Sequence, residues 1–156
     1  MRTFMIAAAS AAALTLSSAA FAQQTGSRDE AKAMLTKAVA AVKADKTKAL
    51  DMFNKGEGGF LDRDLYVFCG NVSDGKVVAV GNPNAKQVLG TDGRTLKDSN
   101  GKAFGQEVSS AGQKPEGEIT EVNGYLFPSP SNPKPALKDS FVTRIGDIYC
   151  GVGYYR

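Results

Sequence analysis

The stretch LYVFC at residues 65–69 decides the fold, because it alternates between two kinds of side chain. Its aromatic residues share one face of a predicted strand, and its Leu, Val and Cys share the other face. An Asp-Gly dipeptide at 74–75 predicts a hairpin whose return strand covers 76–80. A second hairpin is predicted near the carboxyl end, where 141–145 and 148–155 flank a turn. Strands joined by hairpins predict an antiparallel sheet.

The chain before the first strand is predicted to be helical. Ser27 and Glu30 form an S-x-x-E capping box, which marks a helix start. Apolar residues then recur every three or four positions up to Val42, and Asp45 resembles a second N-cap. We therefore predict an α+β fold in which a long N-terminal helix packs on one face of a five-stranded antiparallel sheet. The five strands are predicted at 65–69, 76–80, 117–127, 141–145 and 148–155.

The composition excludes several classes of function. The 156 residues include no His, so the chain has no Ser-His-Asp or Cys-His catalytic site and no His metal ligand. The two Cys do not form a C-x-x-C motif, which removes thioredoxin-type redox chemistry. With 19 Lys and Arg against 16 Asp and Glu, the net charge of +3 is too weak to indicate nucleic-acid binding. We predict a protein that is not an enzyme and that needs no metal or cofactor.

Residues 1–22 have the pattern of a secretory signal peptide. Arg2 supplies the positive start, 4–16 form an apolar run, and 20–22 form an A-x-A cleavage site. A membrane anchor is the alternative, but the run is shorter than the ~20 residues that a membrane span needs. We therefore predict export to the periplasm, cleavage, and one domain at 23–156 that does not insert into the membrane.

The oxidising periplasm gives the two cysteines a predicted role. In an exported chain, Cys69 and Cys150 are expected to form a disulfide, and two buried free thiols are the alternative. A disulfide requires Cα atoms within about 7 Å of each other. The first and last predicted strands would therefore have to be neighbours in the sheet.

Several motifs resemble, in order and spacing, those of a single Cache domain, the extracellular PAS-like sensor module of bacterial chemoreceptors and kinases. The matching segments are 63–69, 82–83, 96–98, 101–105, 138–142 and 146–155. The resemblance implies that the five-stranded sheet is PAS-like. It also implies a small-molecule pocket on the sheet face away from the long helix, covered by the segment between the second and third strands.

The resemblance further implies a soluble periplasmic sensor-type module that binds a small carboxylate, amino acid or amine. Receptor modules of this kind are followed by a transmembrane helix, whereas this chain stops at Arg156. We therefore expect no output domain of its own, with a membrane-bound sensor protein as its partner. The region 117–127 lacks a Trp that related sequences commonly carry, and Gly81 replaces a larger residue. These departures leave open a structural or protein-interaction module that kept the fold and lost the ligand.

Four aromatic residues are candidates for the wall of a ligand site. Tyr66 and Phe68 share one strand face, and Tyr125 and Phe127 share a face of another strand. A tyrosine hydroxyl on such a wall can hydrogen-bond a ligand. Core packing, with the hydroxyl satisfied inside the protein, is the alternative.

Two cations are candidates for binding a carboxylate. Lys138 opens the fourth predicted strand, where a solvated lysine is the alternative, and Arg94 lies in the covering segment, where a charged surface loop is the alternative. Gly151 and Gly153 leave room for a ligand or a second backbone, and packing of the helix against their face is the simpler interpretation. The predicted ligand-binding residues are therefore Tyr66, Phe68, Arg94, Tyr125, Phe127 and Lys138.

Overall fold

A computed structural model describes residues 25–156. The predicted signal peptide at 1–22 lies outside the described residues. The helices of this part are α1 (Arg28–Ala44), α2 (Lys46–Lys55) and α3 (Phe104–Gly112), with short 3-10 turns at Pro83–Val88 and Gly93–Thr95. No helix within residues 25–156 is both long enough and apolar enough to cross a membrane.

Side-chain caps fix where α1 and α2 begin. The Ser27 hydroxyl accepts a hydrogen bond from the Glu30 N–H, and the Glu30 carboxylate accepts one from the Ser27 N–H. Asp45 ends α1 and caps α2 by accepting a 3.0 Å hydrogen bond from the Lys48 N–H. These bonds satisfy backbone donors that have no partner within the helices. The predicted capping box and second cap are confirmed.

An antiparallel sheet forms the centre of the domain. Its order is β3-β2-β6-β5-β4, and the short β1 pairs with the same edge of β2 as β3 does. The strands are β1 (Leu61–Asp62), β2 (Leu65–Asn71), β3 (Val77–Val80), β4 (Ile119–Ser129), β5 (Asn132–Ile145) and β6 (Ile148–Tyr155). The first long strand and the last strand therefore lie side by side.

The α+β class and the helix-covered antiparallel sheet are confirmed, but the predicted number of five strands is too low. β1 adds a sixth strand, which contains two residues. The hairpin between β4 and β5 is also longer than expected, because Pro128 pairs with Pro135. Proline is tolerated there because β4 lies at the sheet edge. The long β5 begins at Asn132, which places Lys138 inside a strand instead of at its start.

The two faces of the sheet have different neighbours. Helices α1 and α2 pack on the face that carries Leu65, Val67 and Cys69. The opposite face carries Tyr66 and Phe68, which pack in separate clusters away from those helices. The alternation predicted for residues 65–69 is confirmed. It separates a helix-covered core from a second face that is free to form a site.

A disulfide joins Cys69 of β2 to Cys150 of β6. The two residues are direct partners in the register of these neighbouring strands, and their Cα atoms lie 4.1 Å apart. The predicted disulfide is therefore confirmed, and so is the adjacency of the strands that it requires.

Reduction of the disulfide is expected to destabilise the domain. The bond closes a loop of 81 positions, for which loop-closure entropy gives about 4 kcal/mol. We expect dithiothreitol to lower the Tm by more than about 10 °C, as measured by circular dichroism. The Cys69→Ser/Cys150→Ser variant is the control, because it has no bond left to reduce. A melting curve of the wild-type protein that dithiothreitol leaves unchanged would contradict this expectation.

Candidate functional site

A cavity of about 60 Å³ lies on the sheet face opposite α1 and α2. Strands β2, β4 and β5 each supply side chains to its wall. Five of the six predicted ligand-binding residues line it, namely Tyr66, Phe68, Tyr125, Phe127 and Lys138. The fold thus brings together residues that lie as many as 72 positions apart in the sequence.

A bulge in β4 turns Tyr125 and Phe127 toward the cavity. The register of β4 shifts between Val122 and Tyr125. Gly124, inside the shift, has a φ of +68°, which glycine adopts at little cost. Strict alternation would place Val122 and Tyr125 on opposite faces, yet both belong to one buried cluster. The bulge therefore places the side chains of Tyr125 and Phe127 on the cavity face.

The segment 81–112 covers the cavity and supplies apolar walls. Its lining side chains are Val88, Leu96, Phe104 and Val108. Asp98 ties this cover to the sheet edge by accepting a 3.0 Å hydrogen bond from the Leu126 N–H. That bond is the largest cause of the lowered pKa of Asp98. The carboxylate is therefore ionised at neutral pH and keeps the cover anchored.

Lys138 is buried, with 1% of its surface exposed, so the interpretation as a solvated strand-end lysine is wrong. Its Nζ donates a 2.7 Å hydrogen bond to the Tyr66 hydroxyl. The Nζ also lies 4.2 to 5.8 Å from the centroids of five aromatic rings, within the range of cation–π attraction. We call these rings the aromatic cage: Tyr66, Phe68, Tyr125, Phe127 and Tyr155.

All three cage hydroxyls have hydrogen-bond partners inside the protein. Tyr125 Oη lies 2.6 Å from Ser140 Oγ, and Tyr155 donates to a backbone carbonyl at 2.6 Å. Tyr66 accepts its bond from Lys138, and its own O–H lies within hydrogen-bonding reach of Tyr155. Lys138 has three ammonium donors, and within residues 25–156 only Tyr66 and Tyr125 hydrogen-bond with it. The site therefore has a hydrogen-bond donor to spare on Lys138.

The site contains a cation that makes no salt bridge within residues 25–156, although the buried Asp64 carboxyl is near enough to interact with Lys138 electrostatically. Burial raises the pKa of Tyr125 and of Tyr155, so both phenols are neutral at neutral pH. Burial is the largest influence on the pKa of Lys138 and acts to lower it, but the oxygens of Tyr125 and Tyr66 oppose it and leave that pKa raised. Among residues 25–156, no Asp or Glu lines the cavity. The cavity wall is thus positive at one point and apolar elsewhere.

Gly151 and Gly153 make room for the cavity side chains. A Cβ at Gly153 would lie 2.0 Å from Lys138 Cε, and a Cβ at Gly151 would lie 2.3 Å from Phe68 Cζ. The helices instead pack on the other face, against Val152. The expectation that the long N-terminal helix packs against the glycine face is therefore wrong. Because glycine has no side chain, Lys138 and Phe68 can occupy the space beside these two positions.

The structure does not bring Arg94 to the cavity. Its guanidinium binds Asp92 through two hydrogen bonds, of 2.8 and 2.7 Å, and its side chain is 39% exposed. Leu96, two positions later, is the residue that this part of the cover turns inward. Asp92 precedes Arg94 by two positions, so the local sequence already contained a competing partner for the guanidinium.

Two buried residues near the site were missed by the sequence interpretation. Tyr155 shares a strand face with Gly153 through the period of two, and that spacing was the available signal. Asp64 is 1% exposed, and its carboxylate accepts a hydrogen bond from the Gly26 N–H. Its Oδ2 has no partner in the described part of the chain, and burial raises the pKa of Asp64. No pattern in the sequence marks Asp64 as buried.

Gly153→Ala is expected to push Lys138 out of the aromatic cage, because both are buried and the added Cβ overlaps Lys138 Cε. Overpacking of this kind costs about 1–3 kcal/mol of unfolding free energy. Since the chain has no Trp, near-ultraviolet circular dichroism reports mainly on its Tyr and Phe rings, and we expect that spectrum to change. Gly117→Ala is the control, because the space around Gly117 is open and its φ of +88° adds backbone strain alone. Equal spectral changes in both variants would argue against the overlap.

Asp64→Asn is expected to change how stability depends on pH. The folded protein raises the pKa of Asp64, so its contribution to stability is complete below 3.8 and is lost as the pH rises through the raised value. The variant should therefore gain stability relative to the wild type between about pH 3 and pH 7, as measured by urea unfolding.

Asp74→Asn is the matched control for that titration. The pKa of Asp74 is lowered, chiefly by the hydrogen bond from the Lys76 N–H, so this variant should lose stability relative to the wild type over the same range. Shifts of the same sign in the Asp64 and Asp74 variants would contradict the assignment.

The described fold is similar to that of several solved proteins of chemotaxis and chemosensing. A methyl-accepting chemotaxis protein from Vibrio parahaemolyticus RIMD 2210633 superposes with a TM-score of 0.64 at 24% identity, covering 82% of this chain and 87% of that chain. A periplasmic sensor domain of a chemotaxis protein gives a TM-score of 0.58 at 23% identity, with coverages of 81% and 88%. A Cache chemosensory domain described for its carboxylic acid recognition gives 0.53 at 24%, with coverages of 81% and 86%. At these identities the likeness shows the fold.

The match of the sequence to a protein family is more specific than these structural similarities, because it identifies the family. None of the curated proteins compared with the chain matches it. The family model for single Cache domain 2 matches residues 10–155, which is nearly the whole chain. The chain therefore belongs to the single Cache domain 2 family.

Proposed function

We propose that this Cache domain is a periplasmic small-molecule sensor module and that its ligand is a short monocarboxylate bound beside Lys138. The observation that carries this proposal is the buried ammonium at the cavity wall. It has a hydrogen-bond donor to spare, no acidic residue within residues 25–156 lines its cavity, and it makes no salt bridge there. A buried charge is costly unless it is paired, so an anion in the cavity would complete the site.

The positive charge at the cavity wall favours one of the three ligand classes expected from the sequence. A carboxylate would pair with Lys138 and accept a further hydrogen bond from the Tyr66 hydroxyl. An amine would bring a second cation next to Lys138, in a cavity that no acidic residue lines within the described chain. An amino acid would bring both groups and leave its ammonium without a carboxylate. A simple carboxylate therefore fits better than either.

The size of the cavity limits the ligand to a few atoms. Its volume of about 60 Å³ is roughly twice the share of about 30 Å³ that one water has in the liquid. Acetate and propionate are among the smallest carboxylates and suit a cavity of this size. A dicarboxylate would also place a second buried anion against apolar walls such as Leu96 and Val108. We therefore expect short monocarboxylates to be preferred over dicarboxylates.

The relatives support the class of function. One solved relative is described for carboxylic acid recognition and another as a periplasmic sensor domain. The signal-peptide pattern at 1–22 supports the same compartment. A membrane-bound sensor protein would then receive the ligand-dependent state of this domain.

Isothermal titration against acetate, propionate and succinate tests the proposal. We expect the wild-type protein to bind acetate or propionate and to show no binding of succinate. Lys138→Met replaces the ammonium with an apolar side chain of similar length, which buried sites often tolerate. It should lose at least about 100-fold in affinity, and Tyr66→Phe roughly 10-fold, because bonds to a charged group contribute about 1.5–3 kcal/mol each.

Arg94→Ala is the control for these variants, because Arg94 lies outside the cavity and binds Asp92. Its affinity should equal that of the wild-type protein. If no monocarboxylate binds and a protein partner co-purifies with the domain, the alternative of an interaction module that has lost its ligand is favoured. Equal affinity of the wild-type protein and Lys138→Met would also contradict the proposed site.

A further inference from the structure

The aromatic cage has the chemistry of an ammonium site. Ring faces carry partial negative charge, and five of them lie around a single nitrogen at 4.2 to 5.8 Å from their centroids. The Tyr66 hydroxyl adds a hydrogen-bond acceptor at 2.7 Å. Sites built in this way recognise cationic amines in solution, yet here the cation is part of the chain.

We infer that the aromatic cage is a binding site for primary alkylammonium ions that the chain fills with its own Lys138, so that residue 138 decides the sign of the charge that the cavity accepts. With Lys138 present, the cage and the ammonium together form a fixed cation, which favours an anion. With the side chain shortened, the same rings lack their cation, and the site favours an ammonium ion from solution.

Tyr66 loses its hydrogen bond from Lys138 when the lysine is shortened, but its ring is buried and packs with Val80 and Ala85. Other contacts hold three more rings of the cage. Tyr125 is stacked on Phe104, with ring centroids 4.5 Å apart, and its hydroxyl lies 2.6 Å from Ser140 Oγ. Tyr155 donates a 2.6 Å hydrogen bond to a backbone carbonyl. Phe127 packs edge-on against Phe104 at 5.6 Å. None of these contacts involves Lys138, so Tyr125, Tyr155 and Phe127 do not depend on the residue that they surround.

Binding of a small molecule to the shortened variant has a competing explanation, which is an apolar cavity left by the removed side chain (an apolar hole). Removing part of a buried side chain leaves space that any small apolar molecule can fill, whatever its charge. An ammonium ion and a neutral alcohol of the same length separate the two explanations. Cation–π attraction and the acceptor on Tyr66 favour the ammonium, whereas an apolar hole favours the alcohol, whose transfer from water costs less.

The test is rescue of Lys138→Ala by n-propylammonium, which has the same carbons and nitrogen as the part of the side chain that the substitution removes. We expect n-propylammonium at about ten times its Kd to raise the Tm of the variant by roughly 5 °C. 1-Propanol at the same concentration should raise it by less than half as much. Methylammonium and n-pentylammonium should be weaker, because they are too short or too long for the vacated space.

Two further lysine variants and the wild-type protein control for general effects of amines. Lys138→Met keeps the cage filled and should not respond to n-propylammonium. Lys86→Ala removes an ammonium that binds the backbone oxygens of Asn54 and Val80 and that has no aromatic ring around it in residues 25–156. It should show no rescue either. The wild-type protein, whose cage is occupied, should not respond.

Each outcome decides the inference. If Lys138→Ala unfolds on its own, recovery of a cooperative melting transition in n-propylammonium supports the site, and no recovery contradicts it. Stabilisation by 1-propanol equal to that by n-propylammonium would overturn it in favour of an apolar hole. The inference rests on the cage and not on the proposed ligand. Failure of the wild-type protein to bind carboxylates would therefore contradict the proposed function and leave the rescue result intact.

Discussion

The pairing of β2 with β6 at the centre of the sheet is the constraint on which the rest of the structure depends. Their register places Cys69 opposite Cys150 and fixes this pairing with a covalent bond. It also sets which side chains of both strands share a face. Leu65, Val67 and Val152 face the helices, while Tyr66 faces the cavity. A shift of one residue would exchange these two sets and remove both the helix-covered core and the site.

The buried ammonium follows from the same register. Lys138 is the partner of Tyr155 on β6, and Gly153 beside it has no side chain to obstruct Lys138 Cε. The cage rings come from β2, β4 and β6, which flank or lie near β5 in the sheet order. A cation in such a place is held by ring faces and one hydroxyl instead of a carboxylate. This arrangement is why the cavity has a defined charge although its walls are almost entirely apolar.

Much of the local structure could be predicted from the sequence, since caps and strand alternation depend on neighbours along the chain. The capping box at Ser27, the second cap at Asp45 and the two faces of residues 65–69 are examples. Arg94 shows the limit of this reasoning, because a planar guanidinium pairs with whichever carboxylate is nearest, and that was Asp92. The sequence put Tyr125 and Phe127 on one strand face, but that this face is the one that carries Val122 depends on the bulge at Gly124.

The sequence by itself therefore determined the helix starts, the antiparallel strands, the disulfide partners and most of the aromatic candidates for the site. Only the tertiary structure decided that Lys138 is buried, that five rings surround it, and that Gly151 and Gly153 lie on the cavity face instead of the face covered by the N-terminal helix. The physical reason is that periodicity along one strand tells which residues share a face but not what covers that face. The covering is decided by strand order, register and the path of the segment 81–112, and these join residues far apart in the sequence.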